Sequence, residues 1–183
     1  MPFVDFLDEH AGMGEIIARR IDALRPFSAM AEAIMRGSGS FTAAECELLG
    51  AYVSAANDCS FCFNSHAATA RALGVDAALL EAMVEDLDTA PVAAKLKPVL
   101  RYVKKLTDAP YKMVQSDADA VYRAGWNDRA LSDAVLICGL FNMANRVVEG
   151  HGVSKELPAE LFEAGAERMS EHGYLPPDMD KNE

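Results

Sequence analysis

The sequence predicts an all-α protein that folds as a single domain of about seven to nine helices. Three observations support this fold class. Apolar residues recur at helical spacing along most of the chain, helix-capping motifs stand at the starts of several of these stretches, and no segment has convincing strand alternation. The 183 residues suffice for one domain with a substantial core. Only 8% of the residues are aromatic and alanine is abundant, as is common in helical proteins.

The first helices lie before the most informative motif of the chain. Residues 16–35 are expected to form one or two helices split at Pro26, because proline interrupts a helix interior. Thr42 and Glu45 form a capping box, which predicts a helix over 43–56.

A second helix is expected immediately afterwards. Asn57 and Asp58 break the first helix and supply a new N-cap. The next helix should cover residues 59–73, with Gly74 as its C-terminal stop.

The remaining helices follow from local signals. We expect a short helix capped by Asp76 and a kink or helix start at Pro98. A capping box of Ser116 and Asp119 should open the next helix. A long apolar helix over 128–149 and a last helix from Pro158 to about His172 complete the prediction.

We divide the single domain into an N-terminal helical extension (1–40), a core with the cysteine motif (41–152), and a C-terminal helix with a loose tail (153–183).

Charge and composition exclude some classes of function. The net charge is −11, which argues against binding to nucleic acid or to an anionic membrane surface, since both require basic residues. The N-terminal residues lack the basic start and apolar core of a signal peptide, and we expect no apolar run of membrane-spanning length. These features favour a cytoplasmic protein, in which four cysteines rarely serve as a disulfide framework.

The motif that indicates chemistry joins Glu47, Cys59, Cys62 and His66. Cys59 and Cys62 are three residues apart and Cys62 and His66 are four apart, so all three side chains can converge on one helix face. Glu47 belongs to the preceding helix, which the turn after residue 56 can fold back towards them.

A cysteine pair at a helix start is suited to redox chemistry. The free N–H groups and partial positive charge of a helix N-terminus stabilise a thiolate. His66 can accept or donate a proton, and Glu47 can orient it and complete a proton relay. A thiolate that attacks a peroxide becomes a sulfenic acid, which a neighbouring thiol converts to a disulfide, and a dithiol partner must then reduce that disulfide.

Other interpretations of the motif remain open. Cys59, Cys62, His66 and Glu47 are four possible zinc ligands, although structural zinc sites usually draw on two separated pairs. The pair could also exchange disulfides or sense redox state without reducing peroxides at a useful rate. Two unrelated core thiols are the simplest alternative.

The spacing Glu47-x11-Cys59-x2-Cys62-x3-His66 resembles the signature of the alkylhydroperoxidase D-like proteins of the carboxymuconolactone decarboxylase superfamily, in particular their peroxidase-related branch. The later segment GWNDRALSDAVLICGLFNMANRVVEGHGV is similar to that branch as well. The resemblance extends from about Phe3 to Gly152.

The resemblance implies an all-helical alkylhydroperoxidase D-like fold, a homo-oligomer (commonly a trimer or hexamer), and reduction of alkyl hydroperoxides without a metal or organic cofactor. It implies that Cys62 attacks the peroxide, that Cys59 resolves the product, and that His66 and Glu47 form the proton relay. A dihydrolipoyl- or thioredoxin-like dithiol would be the reductant. The characterised peroxidase of the family has a histidine just before its second motif cysteine, where this chain has Phe61, which puts the strength of the activity in doubt.

Residues outside the motif have simpler interpretations. Cys46 and Cys138 are expected to be buried core thiols, because both lie in apolar helical stretches. Arg146 either pairs with a carboxylate at a subunit interface, which we favour, or holds an anionic substrate. Asn57 is interpreted as a capping residue and Trp126 as the anchor of a turn.

Overall fold

The computed structural model describes residues 1–153 and 157–175. Within these residues the chain is all-helical, which confirms the predicted fold class. The α-helices are α1 (Met13–Arg19), α2 (Ile21–Met35), α3 (Ala43–Ala56), α4 (Ser60–Ala72), α5 (Ala77–Glu85), α6 (Lys97–Asp108), α7 (Gln115–Arg123), α8 (Asp128–Gly150) and α9 (Ala159–His172), with a short 3₁₀ helix at Pro110–Lys112. The predicted loose tail after residue 175 lies outside the described residues.

Several helix boundaries follow from capping side chains. The Thr42 side chain accepts a hydrogen bond from the N–H of Glu45, and the Glu45 carboxylate accepts one from the N–H of Thr42, so the predicted capping box begins α3. Asp76 caps α5 in the predicted way, and Pro98 lies in the first turn of α6, where a proline is tolerated. Pro158 precedes α9.

Two predicted boundaries were wrong. The N-terminal helices separate at Arg20, while Pro26 lies inside α2, at a position where the helix continues past it. The capping box of Ser116 and Asp119 does not form. Instead α7 begins at Gln115, and the Asp117 carboxylate accepts a hydrogen bond from the N–H of Val114 at 2.9 Å.

The connection between α3 and α4 differs from the prediction in one detail. Asn57 ends α3, and Asp58 has a φ of +53°, a left-handed conformation in which Asp and Asn are the best tolerated residues after glycine. The N-cap of α4 is Cys59 itself, not Asn57 or Asp58. The tight turn places the first motif cysteine at the helix N-terminus.

Helix α3 lies at the centre of the core and packs against α4, α6 and α8. Gly50 permits the close approach of α3 and α8, because a Cβ atom there would lie 2.3 Å from the ring of Phe141. Cys46 and Cys138 are buried as predicted, and Trp126 anchors its turn through a hydrogen bond to the Lys95 carbonyl at 2.7 Å.

Helix α8 is long and apolar enough, by length and composition, to cross a membrane, with a mean hydropathy of 1.3 over its apolar window. The expectation that no segment meets this criterion was therefore wrong. Half of the window is buried inside the protein, and the core helix of a soluble protein meets the same criterion.

Candidate active site

Cys59 and Cys62 lie together at the start of α4 without a disulfide between them. Their exposed fractions are 1% and 3%, so solvent hardly reaches either thiol. They belong to a small apolar cluster with residues of the N-terminal segment (residues 1–19), of α8 and of the turn after α8, which are Leu7, Ala11, Ile16, Val148 and Val153. The N-terminal segment thus shields the pair from water.

The two thiols differ in acidity because the interaction between them lowers the pKa of one and raises the pKa of the other. A hydrogen bond from the Cys62 side chain lowers the pKa of Cys59, against the opposing effects of burial and of the nearby Glu149 carboxylate. The neighbouring Cys59 thiolate and burial raise the pKa of Cys62 far above the usual thiol value. The first proton therefore leaves from Cys59, and Cys62 stays protonated beside it.

A buried polar cluster supports the turn before the pair. The Asn57 side chain donates hydrogen bonds to the side-chain oxygens of Asn145 (2.9 Å) and Asn142 (3.3 Å) on α8. Asn145 donates in turn to the Ser54 hydroxyl at 3.0 Å. Asn57 therefore ties the α3–α4 turn to α8 in addition to ending α3, which the capping interpretation did not include.

Glu47 is fully buried on α3 and holds three partners. One carboxylate oxygen lies 2.7 Å from Nδ1 of His66. The other accepts a hydrogen bond from the Tyr174 hydroxyl at 2.8 Å and lies 2.8 Å from an Arg36 guanidinium nitrogen. The carboxylate is thus saturated with donors on both oxygens.

These donors keep Glu47 ionised. Burial alone would raise the pKa of Glu47, but the hydrogen bond from His66, the charges of His66 and Arg36 and the Tyr174 hydroxyl together hold it below the usual value. Burial and the adjacent carboxylate raise the pKa of Tyr174 well above its usual value, so its hydroxyl remains a donor.

The orientation of His66 follows from this arrangement. A carboxylate can only accept hydrogen bonds, so Nδ1 of His66 carries a proton and Nε2 is the ring nitrogen that can gain or lose one. The ring packs edge-on against Phe141 at 4.5 Å and stacks with Tyr174 at 6.2 Å between ring centroids. No hydrogen bond joins His66 to either motif cysteine among residues 1–153 and 157–175.

A cavity of about 360 Å³ opens in front of Cys62 and His66, within the size range of small-molecule sites. Cys62 lines this cavity and Cys59 does not. Phe61 forms part of the cavity wall. On one side its ring lies 5.7 Å from the ring of Phe162 on α9, measured between centroids. On the other side it packs so closely on Gly12 that a Cβ atom there would lie 2.6 Å from the Phe61 ring. The bulky ring at this motif position therefore narrows the cavity.

The structure brings together the predicted residues in two adjoining pairs, Cys59 with Cys62 and Glu47 with His66. Among the described residues, no group of three or more His, Cys, Asp or Glu side chains is arranged to hold a metal ion, which weighs against the zinc alternative. Arg146 donates to the backbone and side-chain oxygens of Asn142 at 2.7 and 2.9 Å and does not line this cavity.

Sequence reasoning missed Arg36 and Tyr174. Tyr174 follows Gly173 just after α9, and Arg36 follows α2, so neither belongs to the motif. Nothing in the local sequence marks them, since they reach Glu47 only through tertiary packing.

Comparisons with known proteins agree with this architecture. Residues 22–104 match the model of the carboxymuconolactone decarboxylase family. An uncharacterized peroxidase-related protein from Silicibacter sp. has a similar structure (30% sequence identity, 76% of this chain and 73% of that one, TM-score 0.71). So does an uncharacterized peroxidase-related protein from Ralstonia eutropha, described as an alkylhydroperoxidase AhpD core (25% identity, 82% and 78%, TM-score 0.73).

A protein of unknown function from Agrobacterium tumefaciens shares the fold at 17% identity (82% of this chain, 100% of that one, TM-score 0.66). A search of curated proteins finds no match. The family model and the 30% identical structure together show that this chain belongs to the carboxymuconolactone decarboxylase family, as one of its alkylhydroperoxidase D-like members.

Proposed function

We propose that this protein is a cytoplasmic thiol peroxidase that reduces alkyl hydroperoxides. The observation that carries the proposal is the cavity onto which Cys62 and His66 both open, with His66 held by a buried, ionised Glu47. A nucleophile and a proton carrier then face the same bound molecule, which is what thiol-based peroxide reduction requires.

In the first step the Cys62 thiolate attacks the terminal oxygen of the hydroperoxide. A sulfur–oxygen bond forms, the oxygen–oxygen bond breaks, and the alkoxide that leaves takes a proton from Nε2 of His66. The products are a sulfenic acid on Cys62 and an alcohol. Glu47 stabilises the charged imidazolium that precedes this transfer.

The attack requires the negative charge to move from Cys59 to Cys62. The hydrogen bond between the thiols provides the route, because transfer of the shared proton turns the Cys59 thiolate into a thiol and Cys62 into a thiolate. We assign attack to Cys62 because it lines the cavity and Cys59 does not. The proton that the dithiol loses when its thiolate first forms passes to Nε2 of His66 through a water molecule or the peroxide, and this is the proton that the alkoxide later receives.

Resolution follows within the pair. The Cys59 sulfur attacks the Cys62 sulfenic acid, a disulfide forms and water leaves. An external dithiol of the dihydrolipoyl or thioredoxin type then reduces the disulfide by exchange. Because both sulfurs are nearly inaccessible to solvent, the reductant must approach through the cavity or displace the N-terminal segment.

Peroxide consumption with dihydrolipoamide as reductant tests the proposal. We expect the Cys62→Ser variant to lose nearly all activity. Cys138→Ser is the matched control, since Cys138 is an equally buried thiol that does not line this cavity. Equal rates for the Cys62→Ser variant and the wild type would contradict the mechanism.

A second candidate function is thiol–disulfide exchange or redox sensing. It is favoured by the lowered pKa of Cys59, which makes this sulfur the more readily ionised of the two, and by Phe61 in the place of the relay histidine. Fast exchange with a small disulfide, together with peroxide consumption no faster than that of the Cys62→Ser variant, would identify this function.

We also propose that the protein is a homo-oligomer, a trimer or a hexamer. The outer face of α8 has the exposed apolar side chains Val135, Leu136 and Met143, an arrangement typical of a face that packs against another copy. Light scattering after size-exclusion chromatography tests this. A monomer at micromolar concentration would contradict it, and Leu136→Glu should dissociate the assembly.

A further inference from the structure

The cavity in front of Cys62 has an unusual charge composition for so acidic a protein. The chain has 28 Asp and Glu residues, yet none of the described residues that line the cavity is acidic. The wall is formed mainly by apolar side chains from α2, α8 and α9, including Phe27, Leu140, Phe141 and Leu161. Such a wall accommodates a hydrocarbon chain and would not repel an anion.

Arg168 supplies the cavity with a positive charge. It lies on α9, lines the cavity and is exposed, which places its guanidinium where the cavity meets solvent. Its contact in the described structure is a long hydrogen bond, 3.5 Å, to the Leu175 carbonyl, and it makes no ion pair with another described residue. The guanidinium therefore retains donors for a carboxylate, which it can bind with two parallel hydrogen bonds.

A second, independent observation also points to a ligand. Ser28 on α2 lines the cavity and is 2% exposed, and its hydroxyl has no hydrogen-bond partner among the described residues. A buried hydroxyl without a partner destabilises the protein that contains it. A bound molecule with an oxygen atom inside the cavity would give this hydroxyl a partner.

From these observations we propose that the substrate is a hydroperoxide with an extended apolar chain and a terminal carboxylate, of the fatty-acid hydroperoxide class. Arg168 binds the carboxylate at the cavity entrance, the apolar wall holds the chain, and Ser28 donates a hydrogen bond to an oxygen of the ligand inside. The inference rests on the proposed function for the fate of the peroxide group, but the recognition of the carboxylate and chain can be measured without turnover.

Binding to the reduced protein is the first test, with dodecanoate and methyl dodecanoate as probes in isothermal titration calorimetry. The wild type should bind the acid about tenfold more tightly than the ester, and Arg168→Gln should remove most of that preference. Arg101→Gln is the matched control, since Arg101 is an exposed arginine outside this cavity. Equal binding of acid and ester to the wild type would overturn the proposal.

The Ser28→Ala variant tests the role of the Ser28 hydroxyl by two measurements, the Tm without ligand and the affinity for a hydroperoxide. Without ligand, the variant should have a higher Tm than the wild type, because it lacks the unpaired hydroxyl. Linoleic acid hydroperoxide, which has an internal oxygen that dodecanoate lacks, should bind about fivefold more weakly to Ser28→Ala in a Cys62→Ser background. Unchanged affinity for that hydroperoxide would remove Ser28 from the proposal.

Turnover measurements distinguish the proposed peroxidase function from the proposed ligand class. The ratio of kcat/KM for linoleic acid hydroperoxide to that for its methyl ester should fall about tenfold in Arg168→Gln and stay constant in Arg101→Gln. If Cys62→Ser consumes peroxide as fast as the wild type while dodecanoate is still preferred over its ester, the proposed peroxidase function fails and the ligand class stands. If peroxide turnover depends on Cys62 but acid and ester react alike, the ligand class fails alone.

Discussion

The Tyr174 hydroxyl donates a hydrogen bond to the Glu47 carboxylate at 2.8 Å, across 127 residues of sequence. The same hydroxyl lies 3.3 Å from Nδ1 of His66, and the Arg36 guanidinium lies 5.0 Å above the Tyr174 ring. A side chain that follows the last described helix therefore belongs to the hydrogen-bond network around Glu47 and His66. Its position links the end of the described chain to the centre of the core.

We predict that Tyr174→Phe weakens both the relay and the fold. Loss of one donor to a buried carboxylate should lower the free energy of unfolding by about 1 kcal/mol. The rate of peroxide reduction should fall by about tenfold, because His66 is less firmly oriented. Urea denaturation and steady-state kinetics measure the two effects. Tyr111→Phe, at a site 82% exposed, should change neither, and a Tyr174→Phe enzyme of full activity would exclude the tyrosine from the relay.

The ionised Glu47 should make stability depend on pH. Its pKa in the folded state lies below the usual value of 4.5, so its contribution is fully present above about pH 4.5 and is lost as the pH falls through the lowered pKa. The wild type should therefore lose stability on acidification more steeply than Glu47→Gln. Urea midpoints from pH 7 downwards test this. Glu81→Gln, at an exposed position, should follow the wild type, and parallel curves for wild type and Glu47→Gln would contradict the prediction.

Cys59 should be the thiol that titrates first. Its hydrogen bond from Cys62 lowers its pKa, whereas burial raises the pKa of Cys46 to about 12 and also raises that of Cys138. Thiolate absorbance in the ultraviolet between pH 5 and pH 9 should thus report Cys59. Cys62→Ala removes the hydrogen bond and should shift the transition to higher pH. A transition that persists unchanged in Cys59→Ala would show that another thiol titrates first.

Glu149 should restrain the reactivity of the pair. Its carboxylate raises the pKa of Cys59 and also that of Cys62. Glu149→Gln should therefore lower the pKa of Cys59 and accelerate alkylation by iodoacetamide at pH 6, while Glu163→Gln on the outside of α9 should leave the rate as it is. Slower alkylation in Glu149→Gln would mean that the carboxylate acts as a base for the thiol.

Local sequence signals predicted much of the fold. Thr42 and Asp76 bond to backbone groups two or three residues away, so the beginnings of α3 and α5 are encoded in a few consecutive residues. The C-x2-C-x3-H spacing likewise placed three site residues on the first turns of one helix. The Ser116 box does not form because α7 begins earlier, with the Asp117 carboxylate accepting a hydrogen bond from the N–H of Val114, so that Ser116 lies inside the first turn of the helix.

The rest of the site depends on contacts that no local pattern encodes. Arg36 reaches Glu47 because α2 packs beside α3, and the cavity wall comes from helices at opposite ends of the chain. Ser28 and Arg168 are ordinary residues in amphipathic helices until these helices meet. The sequence alone could therefore predict the motif residues that come together, but not the other groups that line the cavity.

Helix α9 lies outside residues 22–104, the segment shared with the family model, yet it lines the cavity and leads into Tyr174. The cysteine pair and the part of the cavity wall that α9 forms thus occupy separate stretches of the gene. Exchange of the α9 segment between relatives would therefore replace part of the cavity wall and one hydrogen-bond donor to Glu47 in a single step, with the cysteine motif unaltered.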